Sequence, residues 1–238
     1  MASKKSTKSA VADARRSGTS ANLIVTLAVV LAIVLIGAAV LTTRSGDAAP
    51  STQAAPTAAA EPQVVRENSH FLDRADQGDV TLVEFLDFEC ESCRALFPVV
   101  EEVRNRYQGR INFVIRYFPI ESHTNAVNAA LAVEAAAQQD QIEPMYKRMY
   151  ETQSEWGEQQ TSRADLFRQF AEDLGLDMDQ YDRDVAAPET LERVRLDQSD
   201  GLGLDVQGTP TFFLNDTKLE LSSVEDLTNA IDKALEGQ

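Results

Sequence analysis

Residues 23–41, LIVTLAVVLAIVLIGAAVL, carry no charged side chain, and Thr26 is their only clearly polar one. Rising ~1.5 Å per residue as a helix, a run of this length crosses the hydrocarbon core of a bilayer. This divides the chain before any other feature is considered. Residues 22–41 are predicted to be a transmembrane anchor. A cleavable signal peptide, with GDAAP downstream as its processing site, is the competing reading, but the apolar part of such peptides is usually only about 7–15 residues long. Lys4, Lys5, Lys8, Arg15 and Arg16 precede the run, and Arg44 is the one base between it and Arg66. Basic flanks stay on the cytoplasmic side. Residues 1–21 are therefore predicted to form a cytoplasmic basic N-terminus, and the rest of the chain to lie outside a single-pass cell membrane, where disulfides form and persist.

Beyond the run, residues 42–65 are rich in Ala, Pro and Thr and lack any aromatic residue. Such a segment has little surface to bury against the entropy of ordering, and it reads as a flexible linker. Residues 66–238 then have the size of one domain. The whole chain carries −16; since residues 1–41 hold five bases and one acid, residues 42–238 carry −20. That excludes nucleic acid as a natural partner and otherwise describes a solvated surface.

Within the domain, TLVEFLDF (81–88) is a short, densely apolar run expected of a strand covered on both faces. Leu96, Val100, Val103 and Tyr107 follow at helical spacing, with Gly109 placed to end that helix. INFVIRYF (111–118) is a second strand, so the three elements read as a βαβ unit with parallel strands. From about 123 to 203 the pattern is helical, through the Ala-rich 125–138, Ile142/Met145/Met149, Leu166/Phe167/Phe170/Leu174 and Leu191/Val194. GTP leads into TFFLNDTKLEL, a hairpin turning at Asn215-Asp216. Ser222 and Glu225 are predicted to form the capping box of a closing helix lined by Val224, Leu227, Ile231 and Leu235.

The two cysteines of the chain, Cys90 and Cys93, stand in FECESCRAL at the junction of the first strand and first helix. Unpaired N–H groups and the dipole at a helix start stabilise a thiolate, the form of sulfur that attacks. Cys90 is placed as a nucleophile, and Cys93, one turn deeper, as a thiol able to resolve a mixed disulfide. Two other readings compete. A zinc site needs about four ligands, and His70 and His123 are the only histidines available. A structural disulfide would close a loop too short to stabilise much.

Together, VEFLDFECESC and VQGTPTFFLN resemble the active-site strand and the cis-proline hairpin of the thioredoxin superfamily, and the helical block between them resembles the DsbA branch, membrane-anchored or secreted bacterial thiol:disulfide oxidoreductases. YFPIESHTNAVNAALAVEAA is similar to the segment after the second strand in that branch, and the resemblance covers about 66–236. It implies an α/β thioredoxin-like fold with an inserted helical block, preceded here by one transmembrane helix. It also implies catalysis by Cys90 and Cys93, a cis bond at Pro210 that with Thr209 helps hold an extended substrate, and a proton-moving role for Glu84, six residues before Cys90. A carboxyl buried at 84 would have a raised pKa. Pro98 matches the proline that kinks the active-site helix, and His123 is read as a packed residue without a catalytic part. The resemblance calls for no cofactor and no metal. Exported thiol-containing proteins would be the substrates, and a membrane redox partner, a quinone-linked reoxidase or a reductant donor, would restore the site; a reductase or isomerase, or a chaperone binding peptides in the same groove, is the alternative.

Strongly oxidising relatives typically carry proline, often with histidine, between the cysteines; this chain has Glu91-Ser92, with Glu89 and Asp87 close by. Negative charge beside a thiolate disfavours it. The sequence therefore predicts a Cys90 pKa higher than in those relatives, and a weaker oxidant.

Overall fold

The computed structural model describes residues 61–237. The apolar run at 22–41 and the basic segment before it lie outside the described residues, as does the linker up to residue 60. Among the described residues no helix is long and apolar enough to cross a membrane.

Five strands form one mixed sheet in the order β1-β3-β2-β4-β5, with β1 at His70–Asp73, β2 at Thr81–Leu86, β3 at Asn112–Tyr117, β4 at Thr211–Leu214 and β5 at Thr217–Lys218. Helix α1 (Glu91–Arg106) connects β2 to β3, which pair in parallel from Thr81↔Asn112 to Leu86↔Tyr117. The predicted βαβ unit is thus present. Pro98 lies inside α1 without interrupting it. β2 is the centre of the sheet, since β4 pairs antiparallel along its other edge and sets Glu84 opposite Phe212. Both faces of β2 are covered, and every residue from Leu82 to Leu86 is buried.

Between β3 and β4 come α2 (Ala126–Ala137), α3 (Ile142–Trp156), α4 (Ala164–Asp173), α5 (Met178–Ala186) and α6 (Pro188–Gly203); α7 (Val224–Glu236) closes the domain. These five helices are the expected insertion. Side chains alternate across a strand, so the sheet separates two cores. Leu82, Leu86, Ile115 and Tyr117 pack with α1 and with α2, α3 and α4. Val83, Phe85, Val114 and Phe213 pack on the other face with Val64, Phe118 and Val206.

Several differences from the sequence reading have plain causes. β1 has no counterpart in it because its four residues, HFLD, are half-buried at a sheet edge and form no apolar run. In α5 only Tyr181 is buried, too little for a periodic stripe. The capping box lies one residue later than predicted: the Ser223 hydroxyl accepts from the Asp226 N–H, and the Asp226 carboxylate accepts from the N–H groups of Ser222 and Ser223. Residues 63–65, assigned to the linker by composition, are part of the folded domain. Val64 is buried, and the carbonyls of Gln63 and Val64 accept from the Arg116 guanidinium.

Candidate active site

β2 ends at Leu86, and residues 87–90 turn the chain into α1. Cys90 is the N-cap, in extended backbone with φ −68° and ψ 122°, and no side chain caps the helix. Its sulfur takes the place a capping oxygen would occupy. Both cysteines are free thiols; Cys90 is 7% exposed and Cys93 1%. Sulfur exchange can therefore begin only at Cys90.

The environment splits the two thiols. Cys90 is lowered to about 5, chiefly because the Cys93 thiol donates to its sulfur; burial opposes this, while the Thr209 hydroxyl and the N–H groups of Cys93 and Ser92 add to it. Thr209 acts twice, in opposite senses. Its carbonyl accepts from the Cys90 thiol at 3.3 Å, which favours the protonated form, whereas its buried hydroxyl, without a hydrogen-bond partner of its own, is near enough to the sulfur to favour the thiolate. The thiolate wins because three further N–H and S–H donors point the same way as the hydroxyl. Cys93 is pushed well above its ordinary value, by burial first and then by its hydrogen bond to Cys90 and the charge of Glu84.

Glu84 faces the same core from the middle of β2. It is 2% exposed, its Oε2 has no hydrogen-bond partner among the described residues, and burial raises it to about 8, helped by negative charge on Cys90 and Glu101 and opposed by Arg104. At neutral pH it holds its proton and can exchange it in that range. Thr209–Pro210 is a cis bond, and Thr209 touches Cys90 from the loop before β4. Cys90, Cys93, Glu84 and Thr209 are thus brought together electrostatically or by contact, with Pro210 adjoining. No group of three or more potential metal ligands occurs among the described residues.

The neighbouring acids Asp87 and Glu89 turn their carboxylates inward onto N–H donors, and neither is among the groups that set the Cys90 pKa, which is lowered from its ordinary value by Cys93, Thr209 and the first N–H groups of α1. Asp87 accepts from the N–H groups of Glu89 (2.8 Å) and Ile120 (2.9 Å) and lies 2.7 Å from His123 Nδ1. Glu89 accepts from the N–H groups of Asn125 (2.5 Å) and Glu158 (3.0 Å). Both carboxylates are buried, and each ties the turn to a loop of the inserted block; Glu91 alone is solvated. His123 packs against the turn itself, through Asp87.

Sequence reasoning misses Gln153 altogether. It is 2% exposed on α3, and its Nε2 donates to the carbonyls of Phe88 (2.7 Å) and Cys90 (2.9 Å). A signal exists: Ile142, Met145, Met149, Gln153 and Trp156 recur at spacings of three and four, so an amide stands where the apolar stripe calls for a hydrophobe.

A family model described as thioredoxin matches residues 75–233. A relative named Na(+)/H(+) antiporter NhaA 1, from Mycobacterium sp. (strain KMS), is 36% identical over 141 residues, covering 57% of this chain and 22% of that one. The chain thus spans about a fifth of the length of such named relatives. Among solved structures, a thioredoxin-like oxidoreductase from Silicibacter pomeroyi DSS-3 is 27% identical, with 72% of this chain and 94% of that one covered at a TM-score of 0.59. Wolbachia pipientis alpha-DsbA1 shares the fold at 19% identity, with a TM-score of 0.64 over 73% of this chain and 94% of that one.

Proposed function

This chain belongs to the thioredoxin family, and from that premise we propose that it is a DsbA-like, membrane-tethered thiol:disulfide oxidoreductase acting on exported proteins. One observation carries the reading: a Cys90 held near pKa 5 at a helix start, in contact with a buried, protonated Cys93 and with the Thr209 carbonyl. The extracytoplasmic placement rests on the apolar run at 22–41 and its basic flank.

In the oxidising direction, a substrate thiolate attacks Cys90 of the Cys90–Cys93 disulfide. The S–S bond breaks, a mixed disulfide forms on Cys90, and Cys93 leaves with its electron pair and takes a proton from Glu84. A second substrate thiolate then attacks the substrate sulfur, Cys90 departs as a thiolate, and the substrate is oxidised by two electrons while the protein becomes the dithiol. A low leaving-group pKa speeds this last step. It also stabilises the dithiol form, which makes the disulfide a better acceptor of electrons. This favours oxidase over reductase. A membrane electron acceptor, quinone-linked, would regenerate the disulfide.

Cys93→Ala tests the proposal. Purified from the exported compartment, this variant should carry substrate proteins covalently on Cys90, released by dithiothreitol and absent from Cys90→Ala/Cys93→Ala. If nothing is trapped, and the wild type oxidises no reduced dithiol peptide, the proposal falls. A reduction potential near ~−270 mV, as in thioredoxin, would reverse the direction, and one near ~−120 mV would support it.

A further inference from the structure

We propose that Gln153, on the inserted helix α3, is a positioning residue for the nucleophile: its amide fixes the Phe88 and Cys90 carbonyls and so aims the first N–H groups of α1 at the Cys90 sulfur. The inference rests on the reading of Cys90 as the attacking thiol, and it assigns part of that reactivity to the insertion.

The geometry carries it. With Glu91 and Ser92 held in helical backbone, the remaining torsion between the Cys90 Cα and the Ser92 and Cys93 N–H groups is ψ at Cys90, and rotation about it moves those donors relative to Sγ. Whatever holds the Cys90 carbonyl holds ψ. That carbonyl accepts from Arg94 N–H at 3.1 Å, the first helical bond, and from Gln153 Nε2 at 2.9 Å. The helical bond alone ties the carbonyl to a terminus that can fray, whereas Gln153 ties it to a packed helix and grips the Phe88 carbonyl at 2.7 Å in the same amide. Both amide hydrogens are thereby used on the two ends of one turn.

The position also breaks a local rule. Burying an amide costs free energy unless it is hydrogen-bonded, and its stripe neighbours Met149 and Trp156 are fully buried hydrophobes. A leucine or methionine at 153 would suit the packing of α3 as well or better. Departures of this kind from otherwise consistent patterning fall at functional sites. What the amide nitrogen contacts in return is the backbone of the turn that holds Cys90.

The test compares Gln153→Met, which keeps the length and removes both donors, with Val133→Ala, a core truncation on α2 away from the turn. In each reduced protein the Cys90 thiolate is titrated by its ultraviolet absorbance, alongside thermal unfolding. Gln153→Met is expected to raise the Cys90 pKa by about one unit, while Val133→Ala lowers the unfolding temperature and leaves that pKa at the wild-type value. An unchanged pKa in Gln153→Met, or an equal rise in both variants, overturns the proposal. Should Gln153→Met fail to fold, Gln153→Asn, whose amide is one methylene short of the carbonyls, gives the same readout. No substrate is needed, so a wild type inert toward reduced peptides would remove the proposed function and still leave the place of Gln153 to be decided by this titration.

Discussion

Each face of the sheet buries an ionisable side chain near its centre, and the two are treated in opposite ways. On the side packed by α1 and α3, Glu84 has an unpartnered Oε2, and burial raises it to about 8. On the other side Arg116, fully buried on β3, bonds through all three guanidinium nitrogens: Nε and one terminal nitrogen bond Asp197 and Asp200 at 2.6 Å each, and the other bonds the Gln63 and Val64 carbonyls. Asp200 also takes Arg66, and Asp197 takes Arg193 and the Tyr117 N–H. Burial pushes Asp200 upward, but the bonds from Arg66 and Arg116 outweigh it and hold the carboxyl below its usual range. Burial is therefore common to both faces, and the partner decides the outcome. One face keeps its charges and uses them to hold the chain together; the other keeps a proton.

The sharpest way to break this contrast is to remove the cation. Arg116→Met leaves Asp197 and Asp200 buried with reduced compensation and should lower the unfolding free energy by about 3–5 kcal/mol in urea titrations, with the Cys90 titration unchanged. A loss below about 1 kcal/mol would mean that Arg66 and Arg193 suffice, and the two faces would differ less than their geometry implies.

Glu84→Gln should move stability the other way, by a smaller amount. The folded pKa of Glu84 is raised from 4.5 to about 8, so the stability tied to its protonated form is complete below 4.5 and is lost as pH rises towards 8. At pH 7 the amide variant should be more stable than the wild type by up to about 3 kcal/mol, and at pH 4 by nothing. Its formation of a mixed disulfide at pH 7 should slow by about tenfold or more, through loss of the proton donor to the departing Cys93. A gain that does not vary with pH would show that Glu84 is not the group titrating.

Cys90 gives the smallest effect, with the opposite pH dependence. Its folded pKa is depressed, from 9.0 to about 5, so the reduced protein has this stabilisation in full above the unfolded thiol value and loses it as pH falls through about 5. Reduced Cys90→Ser should be less stable than the reduced wild type by about 2 kcal/mol at pH 7, and equal to it near pH 4. Denaturant unfolding of both reduced proteins at the two pH values decides it.

The halves of this picture are not equally legible in the sequence. Cys90, Cys93, Glu84 and the Thr209–Pro210 loop can be read from motifs, because each lies at a fixed offset within one strand–turn–helix or strand–turn–strand unit. Arg116 sits unmarked inside an apolar strand run, and its acids lie 81 and 84 residues away on α6. The influence of Asp87 and Glu89 escapes a sequence reading for the same reason: charge can be read from sequence, but the direction of a carboxylate depends on donors such as Ile120, Asn125 and Glu158, which lie 33 to 69 residues further on. Gln153 leaves a visible break in its stripe, yet only folding reveals that the break meets the turn 63 and 65 residues earlier.

The fastening of residues 63–68 has a mechanical consequence. Gln63 and Val64 are bonded by Arg116, Arg66 by Asp200, and the Asn68 carbonyl by Arg193. A pull along the chain from its amino-terminal side is thus taken up by charge pairs into β3 and α6, on the face of the sheet away from Glu84. The turn at 87–90 is moored separately, to α3 and to the loops at 118–125 and 157–163. The load path bypasses the sulfur, so a pull on residues 63–68 strains these charge pairs before it disturbs the thiol.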